Sequence, residues 1–422
     1  MKIILAHNSY RQPGGEDIIF NQECRLLESA GHEVVVYRRD NWEAQPDSAI
    51  KRLALPWRTV WAEDTRREFA ELLHAERPDV VHVHNTFFMI SPSIYAACRE
   101  ADVPVVQTLH NYRLLCPAAN FFRNGSICEE CMEQTLWRSV RYGCYRNSRP
   151  ATATVALMLA VHRARQTWTR DVTRYIALTE FARSKFLQGG LPAEKIFVKP
   201  NFLHPDPGFR NDGSDGDYAL FLGRLSPEKQ VSRLLRAWTL LRNRIPLVIV
   251  GEGPERRELE MQCHRDNLGG VHFRGQLPHD RALATMRGAR LLVFPSECYE
   301  SFGMAIIEAL ASGVPVICCR LGSMREIIAD GRTGLHFEPG NAEDLAEKVD
   351  WAWNNPVRLR FMVKEARQVY EERYTAEKNY TILMEIYRSA LATNAAQNHA
   401  CPIRMCTQVP GTGGAPEYRP ES

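Results

Sequence analysis

The stretch Phe294-Pro-Ser-Glu-Cys-Tyr-Glu-Ser-Phe-Gly-Met-Ala-Ile-Ile-Glu-Ala-Leu-Ala-Ser-Gly-Val-Pro-Val-Ile317 carries the reading of the chain. The apolar run Arg290-Leu-Leu-Val-Phe294 predicts a buried strand, and a turn rich in Pro, Ser, Glu and Gly follows it. Met304, Ile307, Leu310 and Ala311 then recur at helical spacing, and Gly313 and Pro315 stop the helix before a second strand, Val314 to Cys318. Strand, polar turn and helix N-terminus in this order form the ligand-binding edge of an open parallel sheet. Unpaired backbone N–H groups and the positive end of the helix dipole face outward there.

Two carboxylates bracket the turn, Glu300 before the helix and Glu308 inside it. If most of the interval is helical it rises on the order of 12 Å, at about 1.5 Å per residue. That is roughly the span from a ribose to a sugar across a diphosphate. The N–H groups of Ser301, Phe302, Gly303 and Met304 would cradle the phosphates, and each carboxylate would accept from hydroxyls at one end. A second strand-to-turn unit, Tyr218-Ala-Leu-Phe-Leu-Gly-Arg-Leu-Ser-Pro-Glu-Lys229, places Gly223 and Arg224 at a strand end and Lys229 at a helix start. Arg224 offers a planar fork suited to phosphate oxygens, and Lys229 a compact charge.

The opening stretch resembles the Glu-x7-Glu motif of retaining family 4 glycosyltransferases, and Gly223-Arg-Leu…Lys229 matches the same family's diphosphate-contacting motif. The similarity runs from about Met1 to Arg388. It implies the α/β GT-B fold, two Rossmann-like doubly wound parallel-sheet domains facing across a cleft. It implies that a sugar passes from a nucleoside diphosphate sugar to a glycan, glycolipid or lipid-linked acceptor, with retained anomeric configuration, in bacterial polysaccharide or cell-envelope glycan synthesis. By this resemblance Arg224, Lys229, Glu300 and His110 act in catalysis. The donor is held by Gly14, Gly15, Gly223, Arg224, Lys229, Ser301 to Met304, and Glu308, the last on the ribose. His110, in Thr108-Leu-His110-Asn, matches the histidine beside the donor sugar and is preferred over His84, which also follows a strand. The family has no obvious covalent nucleophile, so front-face attack is implied and no catalytic cofactor.

A chain of 422 residues, 45% apolar and 24% charged, suits two or three globular domains. Its net charge of +3 is too small to argue for nucleic acid. Twelve Cys without a secretory signal fit a reducing cytosol, and no run approaches the roughly 20 apolar residues of a spanning helix. The expected location is the cytoplasm, with its membrane face as an alternative position. Strand and helix alternate from Lys2, which predicts an α/β domain over 1–203, a linker over 204–217 and a second α/β domain over 218–374; the resemblance implies that the first is the acceptor side and the second binds the nucleotide sugar. A helix over 375–391 would cross back to the first domain, and a polar tail over 392–422 would be disordered.

An insertion at about 112–150 carries Cys116, Cys128, Cys131 and Cys144, with the spacing Cys-x11-Cys-x2-Cys-x12-Cys. This set either closes a structural zinc site or remains four free thiols. Arginines between Arg138 and Arg174, with Trp137, Tyr142 and Tyr145 and the apolar run Val155–Val161, suit either anionic lipid or a buried helix with a solvated face. The rival functions are a glycosyl phosphorylase or an epimerase of the same fold, and a non-catalytic nucleotide-sugar-binding scaffold.

Overall fold

The computed structural model describes residues 1–10, 14–43, 49–209, 216–242 and 244–400. Two six-stranded sheets, parallel throughout, organise it. The first contains β1 (Lys2–Ser9), β2 (Glu33–Asp40), β3 (Val80–Asn85), β4 (Val105–Thr108), β7 (Arg174–Ala177) and β8 (Ile196–Val198), in the order β2-β1-β3-β4-β7-β8. Between β4 and β7 lies a small antiparallel hairpin, β5 (Phe122–Arg123) and β6 (Ser126–Ile127). The second sheet contains β9 (Ala219–Leu222), β10 (Leu247–Val250), β11 (Val271–Gly275), β12 (Leu291–Phe294), β13 (Val316–Cys319) and β14 (Gly334–Phe337), in the order β11-β10-β9-β12-β13-β14. In both sheets the chain reverses direction beside the first strand, the topological switch point that opens a crevice at the strand C-termini.

The central strands are apolar on both faces because helices cover both. Ile3 to Ala6, Val80, Val81 and Val83 are buried in the first sheet, and Leu291 to Phe294 in the second. On one face of the first sheet the helices Glu63–Glu76, Ser93–Glu100 and Arg149–Ala164 supply Phe69, Leu73, Ile94, Tyr95, Val155 and Leu159. On the other face Phe20, Cys24 and Leu27 of the helix Gly15–Ser29 join Leu383, Ile386 and Tyr387 of the last helix, Ala376–Ala400. That last helix meets the first domain from its first turn, where Ala376 packs with Leu26 and Phe202. Thr375 bridges Leu203, and Asn379 Nδ2 donates to Pro200 O at 2.6 Å.

One feature departs from the expectations. The last helix continues past Leu391 to Ala400, so residues 392–400 are helical where disorder was expected; the rest of the tail, 401–422, lies outside the described residues. Residues 210–215 of the linker, and 44–48 of the segment read as helical from Arg38 to Arg67, also lie outside them. Gly334–Phe337 is the edge strand β14; four residues are too few to show a period in the sequence against the helical pattern that follows. The apolar run of the Arg149–Ala164 helix packs inward, burying Val155, Ala156, Met158 and Leu159. Several of its neighbouring arginines serve the fold: Arg138 pairs with Glu130, Arg163 donates to Leu114 O, and Arg174 donates to Ser389. Among the described residues no helix is long and apolar enough to cross a membrane.

Candidate active site at the domain interface

The turn after β12 meets the first domain directly. Ser301 Oγ donates to His110 O at 2.5 Å, and Tyr112 Oη donates to Glu300 O at 3.3 Å. Ser323 Oγ holds Glu300 O at 2.7 Å and contacts Thr179 Oγ1 at 3.0 Å. The helix Met304–Ser312 begins after Gly303, whose φ of 85° is cheap only for glycine, and ends at Gly313 with φ 67°. Among the described residues no hydrogen bond is made by the backbone N–H groups of Ser301, Phe302, Gly303 or Met304. They form an empty row of donors at a helix N-terminus.

The first domain closes over that row. A Cβ at Gly15 would lie 2.9 Å from Met304 Cγ, so a side chain there would push the two elements apart. Gly14 N donates to Asp17 Oδ2 at 3.0 Å, and Asp17 Oδ1 meets His7 Nε2 at 3.0 Å, which fixes the start of the Gly15–Ser29 helix. Residues 11–13 of this loop lie outside the described residues. In the second domain Gly223 and Leu225 pack back to back with the turn after β10. A Cβ at Gly251 would fall 1.8 Å from Gly223 O, and Gly251 has φ 143°.

The two cations behave differently. Arg224 is exposed, with no ion pair or side-chain hydrogen bond among the described residues. Lys229 pairs with Glu300, both side chains being less than a fifth exposed, and sits 5.4 Å from the Phe294 ring centroid. Burial alone would depress the Lys229 pKa, yet the Glu300 carboxylate reverses this and raises it. Burial would likewise raise that of Glu300, but the Lys229 charge and hydrogen bonds from Lys229 and Cys298 lower it. Glu300, assigned from sequence to sugar hydroxyls, therefore already holds the cation assigned to phosphate.

Glu308 is buried, and burial pushes its pKa up to about 7. His279 Nδ1 lies 3.9 Å from Glu308 Oε1. His110 is buried and stacked on His84, with ring centroids 5.1 Å apart, and its Nε2 lies 2.9 Å from His84 Nδ1. Sequence reasoning left Glu16 unassigned. Its Oε1 is buried with no well-aligned hydrogen bond among the described residues, its Oε2 accepts from Asn111 Nδ2 at 3.5 Å, and burial first, then Asp17, raises its pKa to about 8. The signal was present, an acid directly after Gly-Gly at a strand C-terminus, but an acid in a first helical turn is ordinary capping.

The four cysteines of the insertion converge. Cys131 is pushed up to about 12 by burial and then by the neighbouring Cys116, Cys144 and Cys128. Among the described residues no three of these sulfurs lie within 4.8 Å of one another, so the four match zinc by donor type and neighbourhood. Among the described residues Glu23, His82 and His84 are the group of three whose ligand atoms lie within 4.8 Å of one another.

Two doubly wound, parallel-sheet domains of this topology constitute the GT-B architecture. A family profile described as "Glycosyl transferases group 1" matches residues 209–369, and one described as "Glycosyl transferase 4-like domain" matches residues 14–201. The glycogen synthase of Mycobacterium tuberculosis is 31% identical over 318 residues, 74% of this chain and 69% of that one. An uncharacterized glycosyltransferase of Methanocaldococcus jannaschii is 32% identical over 176 residues, 41% of this chain and about half (49%) of that one. HepE of Anabaena, solved in complex with UDP and glucose, shares the fold with a TM-score of 0.66 at 20% identity, over 92% of this chain and 100% of that one. The chain belongs to the group 1, family 4 glycosyltransferases.

Proposed function

We propose that the protein transfers a sugar from a nucleoside diphosphate sugar to a glycan or lipid-linked acceptor lying against the first domain, with retention of anomeric configuration. The observation that carries this reading is the N–H row of Ser301 to Met304, unpartnered among the described residues, between Glu300 and Glu308, with Lys229 paired to Glu300 beside it. As the glycosidic C–O bond breaks, negative charge collects on the departing diphosphate. The N–H row and the cations Lys229 and Arg224 stabilise that charge more than the bound substrate, which is electrostatic catalysis. Phosphate binding draws Lys229 away from Glu300, so that Glu300 becomes free to accept from sugar hydroxyls as the site fills. The acceptor oxygen bonds to the anomeric carbon on the face the diphosphate leaves, and its proton passes to the departing phosphate oxygen. A complex of HepE with UDP and glucose, in a protein of the same fold, agrees with a donor of this class.

Thermal unfolding in the presence of UDP, GDP, ADP or dTDP checks the donor. One nucleotide should stabilise the wild type, and NMR of the product should show the anomeric configuration of the donor sugar. An inverted product, or no shift with any of the four, would overturn the reading.

Cys116, Cys128, Cys131 and Cys144 fit zinc as a donor set and would hold it structurally, since four thiolates leave no open coordination position. Metal analysis of the purified chain should find about one zinc per molecule, and chelation should lower the unfolding temperature. A metal-free chain with four titratable thiols would exclude the site.

A further inference from the structure

His110 stands at the end of a line of buried polar groups that no step above uses. In β3, His82 and His84 are two residues apart and so share one face of the sheet. That face meets Glu23 of the Gly15–Ser29 helix. Glu23 Oε1 lies 2.9 Å from His82 Nδ1 and 3.2 Å from His84 Nε2. Its other oxygen, Oε2, pairs with Lys199 Nζ at 2.9 Å, and Lys199 donates onward to Asn379 Oδ1 at 3.0 Å. Glu23, Lys199 and His82 are sealed from solvent, and His84 nearly so. Glu23, His82 and His84 have the mutual distances of a metal site, but the Lys199 ammonium already supplies a cation to the carboxylate.

The partners fix where the protons sit. Neither Glu23 Oε1 nor His84 Nε2 makes a well-aligned hydrogen bond among the described residues, but at 3.2 Å a bare ring nitrogen would face the carboxylate lone pairs, which favours the His84 hydrogen on Nε2. Burial, and then the neighbouring His82, hold the His84 pKa down at about 3, so the ring is neutral and its Nδ1 is bare. His110 Nε2, 2.9 Å from that bare nitrogen, must therefore donate to it. His110 is neutral too, its pKa depressed by burial and then by His84, which leaves Nδ1 without a hydrogen. His110 Nδ1 has no hydrogen-bond partner among the described residues and is not one of the atoms sealed from solvent. It is open to a ligand, unlike His7 Nδ1, which is also without a partner among the described residues but is sealed from solvent.

We propose that Glu23 and His84 are positioning residues for the transfer: Glu23, clamped by Lys199, sets the tautomer of His84, and His84 sets that of His110, which then presents a bare Nδ1 to accept a hydrogen bond from a hydroxyl of the donor sugar. The proposal rests on the reading of His110 as a contact of that sugar. A buried carboxylate that fixes a histidine tautomer is a recognised device for orienting an imidazole. Here it acts through a second ring, and its product is an acceptor rather than a base. His110 is then no proton donor to the leaving group. The sugar position it meets must carry a hydroxyl, since a fluorine there cannot donate.

The tautomers are read directly by 15N–1H correlation of the full-length protein labelled at histidine, without substrate. The wild type should show His110 protonated at Nε2 and bare at Nδ1. His84→Phe keeps a ring in place and removes the bare nitrogen. It should leave His110 a mixture of tautomers, lower kcat on the order of tenfold to a hundredfold, and keep the nucleoside diphosphate affinity within about twofold. A wild-type His110 protonated at Nδ1, or at both nitrogens, overturns the proposal without any variant. So does His84→Phe with a wild-type kcat. Because the spectrum is taken on the free protein, it stands apart from the nucleotide shifts and product configuration that test the donor reading.

Discussion

Arg224→Ala lowers turnover by about two to three orders of magnitude, the loss expected when one preorganised donor to a developing oxyanion is removed. The unfolding temperature stays where it was, because the Arg224 side chain is exposed and bonded to nothing among the described residues. Lys229→Ala reduces turnover as far but also costs stability. It strips the counter-charge from Glu300, whose side chain is only 14% exposed. Orphaning one partner of a buried pair costs about 3–5 kcal/mol, and the partial exposure here puts the expected loss near the lower end. Lys229→Met combined with Glu300→Gln restores the stability and none of the activity. Steady-state kinetics and calorimetry on the three proteins check this, and full activity in Arg224→Ala would exclude it from the diphosphate site.

Glu308→Gln separates binding from folding by pH. In the folded chain burial raises the Glu308 pKa from 4.5 to about 7. The native state therefore keeps a proton that the unfolded chain has already released. This group's contribution is most favourable below about pH 4.5 and falls by roughly 1.4 kcal/mol per pH unit until the pH passes the folded value near 7. Glutamine does not titrate, so the variant should match the wild type at pH 4.5 and be the more stable protein at pH 8. Glu16, raised to about 8 by the same cause, is common to both and cancels in the difference. Nucleotide binding should move the other way. Ribose hydroxyls donate best to the ionised carboxylate, so losing it should weaken a nucleoside diphosphate about tenfold to a hundredfold. The wild type should release a proton on binding between about pH 6 and 7. Calorimetry in buffers of different ionisation heat checks this, and equal affinities in the two proteins would remove Glu308 from the ribose.

Local order was the legible part. The strand at Leu291–Phe294, the helix from Met304 and its stop at Gly313 follow from apolar spacing and two glycines, and β1, β3, β4 and β10 from short β-branched runs. What the sequence could not show lies in pairs brought together from far apart. Lys229 and Glu300 read as separate ligands of separate groups, yet they are 71 residues apart and neutralise one another. Glu23 carries no signal of its own in the sequence, and His84 read as the lesser of two candidate histidines. Their significance depends on Lys199, 176 residues from Glu23, which no periodicity anticipates. The arginines after Arg138 showed charge without showing where it goes, and much of it goes to carbonyls and acids of the fold itself.

The last helix imposes an order of synthesis on the protein. Leu383, Ile386, Tyr387 and Ala390 cover the face of the first sheet that Ile3, Leu5, Val80, Val106 and Ile176 present. Those strands leave the ribosome long before the residues that cover them. Until the end of the chain emerges, the earliest-made sheet carries a bare apolar face, the kind of surface that chaperones guard and that drives aggregation. The two domains are separate in space but not in the message that encodes them, and the first to be translated is the last to be closed.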